Sequence, residues 1–406
     1  MSAIEWLRVP VGIDAERWLT RVGCRTVLVV VHTVTSAQRL LDVVDYVESD
    51  PRVQVVFTVA PDAFSHRVAR YLDELGALVL PWDQAIRERF DLAVAAAYTG
   101  VHEVHAPLVV MAHGAGRGKL TRAPGDGGPL LDRPTVYGLD AARLIRDGRV
   151  LASAVLLSHE GEWTVLKRQC PEALPVAVVA GDPCFDRLVA SMAWRDQYRV
   201  SLGLSGGQEL VAVSSTWGPH GLFGQAPDLL PRLLDQLPAE RYRVGVLLHP
   251  AVWTAHGYRQ IRAWLRDCSA EGLILLDPME DWRAMLVAAD YVVGDHGSVT
   301  AYGAAIGKPV LPLASISTTG TAGGSAQDLV LARARRLDPD QPVLPQLRAA
   351  AALDTAAVTA ALTSCPGEAA RLIRRAMYRL LQLTEPGGHR RPTPVPLPRV
   401  QVGVLP

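Results

Sequence analysis

Short valine-rich apolar runs, each followed by a polar or glycine-bearing turn and then a helix-patterned stretch, set the strongest limit on how this chain folds. TVLVVV (Thr26–Val31), VQVVFTV (Val53–Val59), Leu78–Leu80, Leu92–Ala97 and LVVMA (Leu108–Ala112) follow one another, and most are separated by enough chain for a helix. Continuous β-branched runs without in-and-out alternation suit strands buried on both faces, and long connections make neighbouring strands parallel. Val155–His159 and Val176–Val179 complete this first set. A second set comprises Leu210–Val213, Arg243–Leu248, Leu273–Leu276, Asp290–Val293 and Val310–Leu313. Ser36 or Thr35 is placed to cap the first helix, which carries Leu40, Leu41, Val44 and Val47 on its apolar side. The fold class expected is α/β, with two Rossmann-like parallel-sheet domains facing a central cleft.

A chain of 406 residues is longer than one core usually supports. The two sets therefore read as one Rossmann-like domain over 1–205 and a second over 206–384, joined at the glycine-rich Ser201–Gly207. Residues 385–406 carry prolines and arginines and are expected to be a disordered tail. His113–Pro129, HGAGRGKLTRAPGDGGP, is too rich in glycine and proline for regular structure and reads as an ordered loop over the first sheet's carboxyl edge.

Charge and cysteine usage exclude several classes of function. Lys plus Arg and Asp plus Glu each number 41, so no net field favours nucleic acid. No apolar run approaches bilayer length, and MSAIEWLRVP lacks the basic-then-apolar pattern of a signal peptide. Cys24, Cys170, Cys184, Cys268 and Cys365 never form a CxxC pair. A cytoplasmic protein with reduced thiols is expected, and peripheral membrane contact stays open. His102 and His105 form an HxxH without further ligands, so neither a metal nor a resident cofactor is expected.

Polar residues gather at four strand ends: His113–Lys119, Ser214–His220, His249-Pro250 and Asp295–Ser298. In an open parallel sheet that edge binds ligands. An imidazole at His113 with one nitrogen held by a backbone carbonyl would take a proton near neutral pH; the plain alternative is a packed turn histidine. Gly114, Gly116 and Gly118 let backbone approach a phosphate, and Arg117 or Lys119 could neutralise it, although GxxxxGK[ST] and GxGxxG are both absent. His249 either donates to a phosphate or caps its strand. Asp295 suits a helix cap, while the Ser298 hydroxyl and the helix-start N–H groups suit a diphosphate, with His296 and Gly297 between them. Ser215 and Thr216 complete the candidate phosphate and nucleotide ligands, and Trp217 either stacks on a base or packs.

Taken together, His113-Gly114, the GDPCFD turn (Gly181–Asp186), SSTW (Ser214–Trp217), His249-Pro250 and DHGS before AAIGKP resemble the CDP-glycerol glycerophosphotransferases, the polymerases and primases of teichoic-acid assembly. The resemblance implies a GT-B fold with the nucleotide mainly on the C-terminal domain. It implies His113 as the acceptor base, His249 as a diphosphate ligand and Asp295–Ser298 as the phosphate or nucleotide turn. Two departures stand out. Gly297 replaces a serine of the family turn, and Cys184 takes the place of an arginine after Gly181-Asp182-Pro183.

The function expected is transfer of a glycerophosphate, polyol-phosphate or glycosyl group from a nucleotide-diphosphate donor to a hydroxyl acceptor. A non-hydrolysing nucleotide-sugar 2-epimerase is the alternative, but Val299–Ile306 lacks the glutamates that family carries there. The departures at Cys184 and Gly297 also admit a catalytically silent GT-B scaffold.

Overall fold

The computed structural model describes residues 6–12, 15–121, 134–388 and 391–399. It divides into two compact units. The first is built from Met1–Arg117, Thr121–Pro183 and Thr363–Arg391, and the second from Gly118–Leu120, Cys184–Leu362 and Pro392–Pro406. Within the expected loop at 113–129, residues 122–129 lie outside the described residues, as do 389–390 and 400–406 of the tail.

The first unit is organised on a parallel sheet of β1 (Arg25–Val31), β2 (Val53–Val59), β3 (Val79–Leu80), β4 (Leu92–Ala95), β5 (Leu108–Val110), β6 (Ala154–Leu157) and β7 (Ala177–Val179). Their order is β7-β6-β5-β4-β1-β2-β3. Val27–Val31 are wholly buried because helices cover both faces of the central strand, which is why these runs do not alternate. The chain leaves β1 for β2 on one side and returns to β4 on the other. The sheet therefore has its switch point between β1 and β4.

Helix Val34–Glu48 is capped by Thr33 rather than by Ser36 or Thr35. The Thr33 hydroxyl accepts from the Ser36 N–H at 3.1 Å and the Ser36 hydroxyl accepts from the Thr33 N–H at 2.9 Å. This reciprocal pair satisfies two donors at once, an advantage that a lone cap at position 35 or 36 lacks.

The second unit repeats the scheme with β8 (Glu209–Ser215), β9 (Tyr242–Leu248), β10 (Ile274–Leu275), β11 (Tyr291–Gly294) and β12 (Val310–Pro312). The order is β10-β9-β8-β11-β12, all parallel, with the switch point between β8 and β11. Its core is continuous from Val211 and Val213 through Val246 and Ile261 to Leu347.

Three features differ from the sequence expectation. Residues 184–205 belong with the second unit, not the first. Asp290 explains this: it accepts from Arg195 at 2.6 Å and Arg199 at 2.9 Å, tying helix Arg195–Ser201 to the start of β11. Helix Ala369–Leu381 belongs to the first unit, where it buries Ile373, Met377 and Leu381 and where Tyr378 donates to Asp50 at 2.7 Å. The third concerns the tail, which is anchored at Val395. Val395 is 1% exposed, its N–H donates to Ser191 at 3.0 Å and its carbonyl accepts from Tyr198 at 2.7 Å. Those two paired backbone groups, with one buried apolar side chain, hold a proline-rich segment that composition alone would leave free.

Among the described residues, no helix is long and apolar enough to cross a membrane.

Lys308 ends the turn between helix Ser298–Ala305 and β12. Its ammonium donates to the carbonyls of Val287 at 2.8 Å and Ala289 at 2.6 Å. Burial, helped by nearby Arg195, pushes its pKa down to about 8. Between that value and the ordinary lysine value the unfolded chain holds a proton that the folded chain has released. Folding stability contributed by this residue therefore rises with pH. Urea melts are expected to show wild type gaining on the order of 3 kcal/mol relative to Lys308→Met from pH 8 to about 10.5, with no relative gain below that window.

Candidate functional site

The switch point of the second unit is closed by one carboxylate. Asp295 follows β11 directly and is 1% exposed. Its Oδ2 accepts from the Thr216 N–H at 2.7 Å, the Thr216 hydroxyl at 2.8 Å and the Leu222 N–H at 2.9 Å. Its Oδ1 accepts from the Gly297 N–H at 2.9 Å. A charge this deeply buried is tolerated because donors surround it. In return it fastens the loop after β8 to the turn after β11.

Ser215 works within the same frame. Its hydroxyl donates to the Thr216 carbonyl at 2.8 Å and accepts from the Phe223 N–H at 2.9 Å. Sequence reasoning placed Ser215, Thr216 and Asp295 among the phosphate and nucleotide ligands. In the structure their polar side-chain atoms are engaged with the protein, so these residues build the frame that a ligand would meet.

Gly297 has a specific reason to be glycine. A Cβ there would stand 2.6 Å from Thr216 Cγ2 and 3.0 Å from Asp295 Oδ1. Its backbone is extended, φ −74° and ψ 162°, so space and not conformation makes the demand. As the N-cap of helix Ser298–Ala305 it offers no side chain to the first-turn N–H groups. His296 and Ser298 flank it, both half-buried. The serine expected from the resemblance would collide with Thr216, and its loss leaves the helix start without a side-chain cap.

His249 lies at the end of β9, beside β8, and its N–H donates to the Ser215 carbonyl at 3.0 Å. Its Nδ1 accepts from the Ala251 N–H at 3.1 Å, capping helix Pro250–His256. The cap needs the Nδ1 lone pair, which puts the ring proton on Nε2 and makes that nitrogen a donor. The two sequence readings of His249, strand-end cap and phosphate donor, are therefore compatible in one tautomer.

Lys119 also belongs to this unit. Gly118–Leu120 pairs with the loop after β12: Leu120 N–H donates to the Gly320 carbonyl at 2.7 Å and Ala322 N–H to the Gly118 carbonyl at 2.8 Å. The exposed Lys119 ammonium stands 6.0 Å from the ring centroid of Trp217, which is next to Thr216. A Cβ at Gly118 would stand 2.4 Å from Gln327 Oε1, so a side chain there would push that amide aside.

In the first unit, His113 is exposed at the end of β5, and its Nδ1–H donates to the Ala96 carbonyl at 3.1 Å. That bond leaves the lone pair on Nε2, the arrangement of a proton acceptor. The Gly114 carbonyl accepts from Arg39 at 2.8 Å. Arg117 is buried, donating to Glu162 at 3.2 Å and to the Leu156 carbonyl at 2.8 Å, so its charge is already answered. Gly116, at φ +58°, has Glu162 Oε1 2.9 Å from where a Cβ would stand. A side chain at Gly116 or Gly118 would thus meet Glu162 or Gln327, so these two glycines have a packing role of their own.

Two residues escaped sequence reasoning. His32, at the end of β1, is fully buried and donates through Nε2 to the Thr99 carbonyl at 2.7 Å, and burial lowers its pKa. The segment after β4 thus receives a histidine from each neighbouring strand, His32 at Thr99 and His113 at Ala96. The other is Arg39, on the buried side of its helix with Ser36, Val43 and Val47. A charge inside an apolar stripe requires a buried partner and was the available signal. Among the described residues, no group of three or more His, Cys, Asp or Glu could hold a metal ion.

No protein-family model matches the sequence, and no curated protein matches it. Solved structures do. The wall teichoic acid polymerase TagF, soaked with CDPG, aligns over 88% of this chain and 89% of its own with TM-score 0.59 and 13% identity. The chain has the GT-B fold. The Staphylococcus aureus MnaA–UDP structure aligns over 92% of this chain and 100% of its own at TM-score 0.52 and 11% identity. The UDP-GlcNAc 2-epimerase of Neisseria meningitidis bound to UDP-GlcNAc gives 88%, 100%, 0.50 and 11% for the same quantities. These identities establish shared architecture and no more.

The close packing at Gly297 can be measured. Gly297→Ala is expected to destabilise the protein by about 1–3 kcal/mol through overpacking against Thr216. Thr216→Ser removes the opposing methyl, and in a double-mutant cycle it should recover most of that loss.

Proposed function

We propose that the protein is a GT-B transferase that holds a nucleotide-diphosphate-activated donor at the carboxyl edge of its second sheet and uses His113 of its first unit as the base. The observation that carries this reading is the buried Asp295 frame, which fixes the uncapped start of helix Ser298–Ala305 beside the Thr216 loop at the sheet's switch point. N–H groups at such a start carry partial positive charge and suit a diphosphate. The Nε2–H of His249 and the ammonium of Lys119 add donors on the same unit. Ser298 supplies a hydroxyl at the first turn, with His296 and Gly297 completing it.

The chemistry follows from the tautomers. An acceptor hydroxyl gives its proton to Nε2 of His113 as its oxygen attacks the donor. If the electrophile is the outer phosphorus of a CDP-glycerol-like donor, a new P–O bond forms, the bridging P–O bond breaks and the nucleoside monophosphate leaves. If it is a sugar carbon, a nucleoside diphosphate leaves. In either case the charge growing on the departing phosphate is met by fixed donors. Neighbours solved with UDP or UDP-GlcNAc keep a nucleotide-sugar 2-epimerase as the second reading. The absence of any acid in SVTAYGAA, the helix at this site, disfavours it.

Calorimetry with CDP, UDP and their activated alcohols and sugars, followed by turnover assays, tests the reading. At least one nucleotide is expected to bind. His113→Ala should lower turnover by about 10²–10⁴-fold while leaving nucleotide affinity nearly unchanged. Binding without turnover of any donor would favour a silent scaffold. Interconversion of UDP-GlcNAc epimers would favour the epimerase, and undiminished turnover in the variant would remove His113 as base.

A further inference from the structure

Arg39 and Asp182 form a buried ion pair that touches the carbonyl of Gly114, the residue after His113. One guanidinium nitrogen of Arg39 donates to Asp182 Oδ1 at 2.7 Å and the other to the Gly114 carbonyl at 2.8 Å. The two side chains are only 4% and 1% exposed. A pair this deep contributes little net stability compared with apolar side chains of similar size, so its value lies in what it holds in place. Asp182 stands in a rigid turn after β7. Gly181 is at φ +81°, and a Cβ there would meet the Cys365 carbonyl oxygen at 2.8 Å. Where the family resemblance places an arginine after Pro183, this turn is met instead by Arg39, from the helix that follows β1.

We infer that Arg39 and Asp182 are a positioning pair for His113, an inference that rests on reading His113 as the base. The pair holds the Gly114–Ala115 peptide, one residue beyond His113, and so fixes the backbone that leaves the histidine. That backbone placement in turn brings the ring's Nδ1–H onto the Ala96 carbonyl at 3.1 Å. With both ends held, the Nε2 lone pair keeps one direction, and a base gains most from that kind of preorganisation. Neither residue of the pair takes a proton in the reaction.

The test follows the tautomer of His113 in the full chain by NMR with nitrogen-labelled histidine, using His113→Gln to assign its signals. Wild type is expected to show the Nδ1–H form. The double variant Arg39→Met with Asp182→Leu exchanges the ion pair for apolar side chains and leaves the Gly114 carbonyl unheld. It should melt near wild type, show His113 shifting toward the Nε2–H form, and lose about tenfold or more in kcat with donor KM unchanged. Arg39→Lys, which can keep only part of the contact, should fall between.

An unchanged His113 spectrum in the folded double variant overturns the inference. If the double variant does not fold, Arg39→Lys decides: an unchanged tautomer overturns the inference and a shifted one supports it. If wild type turns over no nucleotide donor, the proposed function fails, and the tautomer measurement still decides whether the pair orients His113.

Discussion

One buried carboxylate holds the second unit's binding edge together. Asp295 receives N–H groups from Thr216, Leu222 and Gly297 and the hydroxyl of Thr216, all between 2.7 and 2.9 Å. The strand order reverses beside β8, so the loops after β8 and β11 leave the sheet in different directions and would otherwise part. The carboxylate joins them across that opening. Gly297 is dictated by this closeness, because Thr216 fills the space that a side chain would need. The uncapped start of helix Ser298–Ala305 is a consequence, since the residue at its cap cannot carry a hydroxyl.

The first unit solves a related problem with histidines and an ion pair. The segment after β4 accepts from His32 on one side and His113 on the other. Arg39 and Asp182 then pin the Gly114–Ala115 peptide, one residue beyond His113. In both units a polar side chain at one strand end is held by a neighbouring strand's loop, so the geometry depends on pairings made across the sheet. Hydrogen bonds of this buried kind cost most when one partner is lost, which makes such edges stiff.

Much of the fold was legible because burial on both faces leaves uninterrupted β-branched runs. The twelve strands of the two large parallel sheets coincide with runs read from the sequence, to within a residue or two at most ends. The two-residue strands Leu120–Thr121, Thr135–Val136, Ile145–Arg146 and Arg149–Val150 do not, and the first of them lies in the loop expected to lack regular structure. The positions of His113, His249 and Ser298 at strand ends or helix starts followed from the same pattern. What those positions do was less legible. Ser215, Thr216 and Asp295 read as ligands, and the sequence could not show that their side chains also hold the loops, with partners up to 79 residues away in the chain. The sequence also could not show that Glu162 and Gln327 stand beside Gly116 and Gly118. Helix Ala369–Leu381 and Val395 joined units that sequence order did not suggest, because a chain can cross back at little entropic cost once both cores exist.

Hydrogen exchange with and without a saturating nucleoside diphosphate tests most directly whether the Asp295 frame carries the ligand. Bound CDP or UDP should slow exchange at Ser298–Thr300, at the start of the helix, with smaller effects in the Thr216–Leu222 loop and around His249. Binding by calorimetry with no protection at the start of helix Ser298–Ala305 would contradict the account.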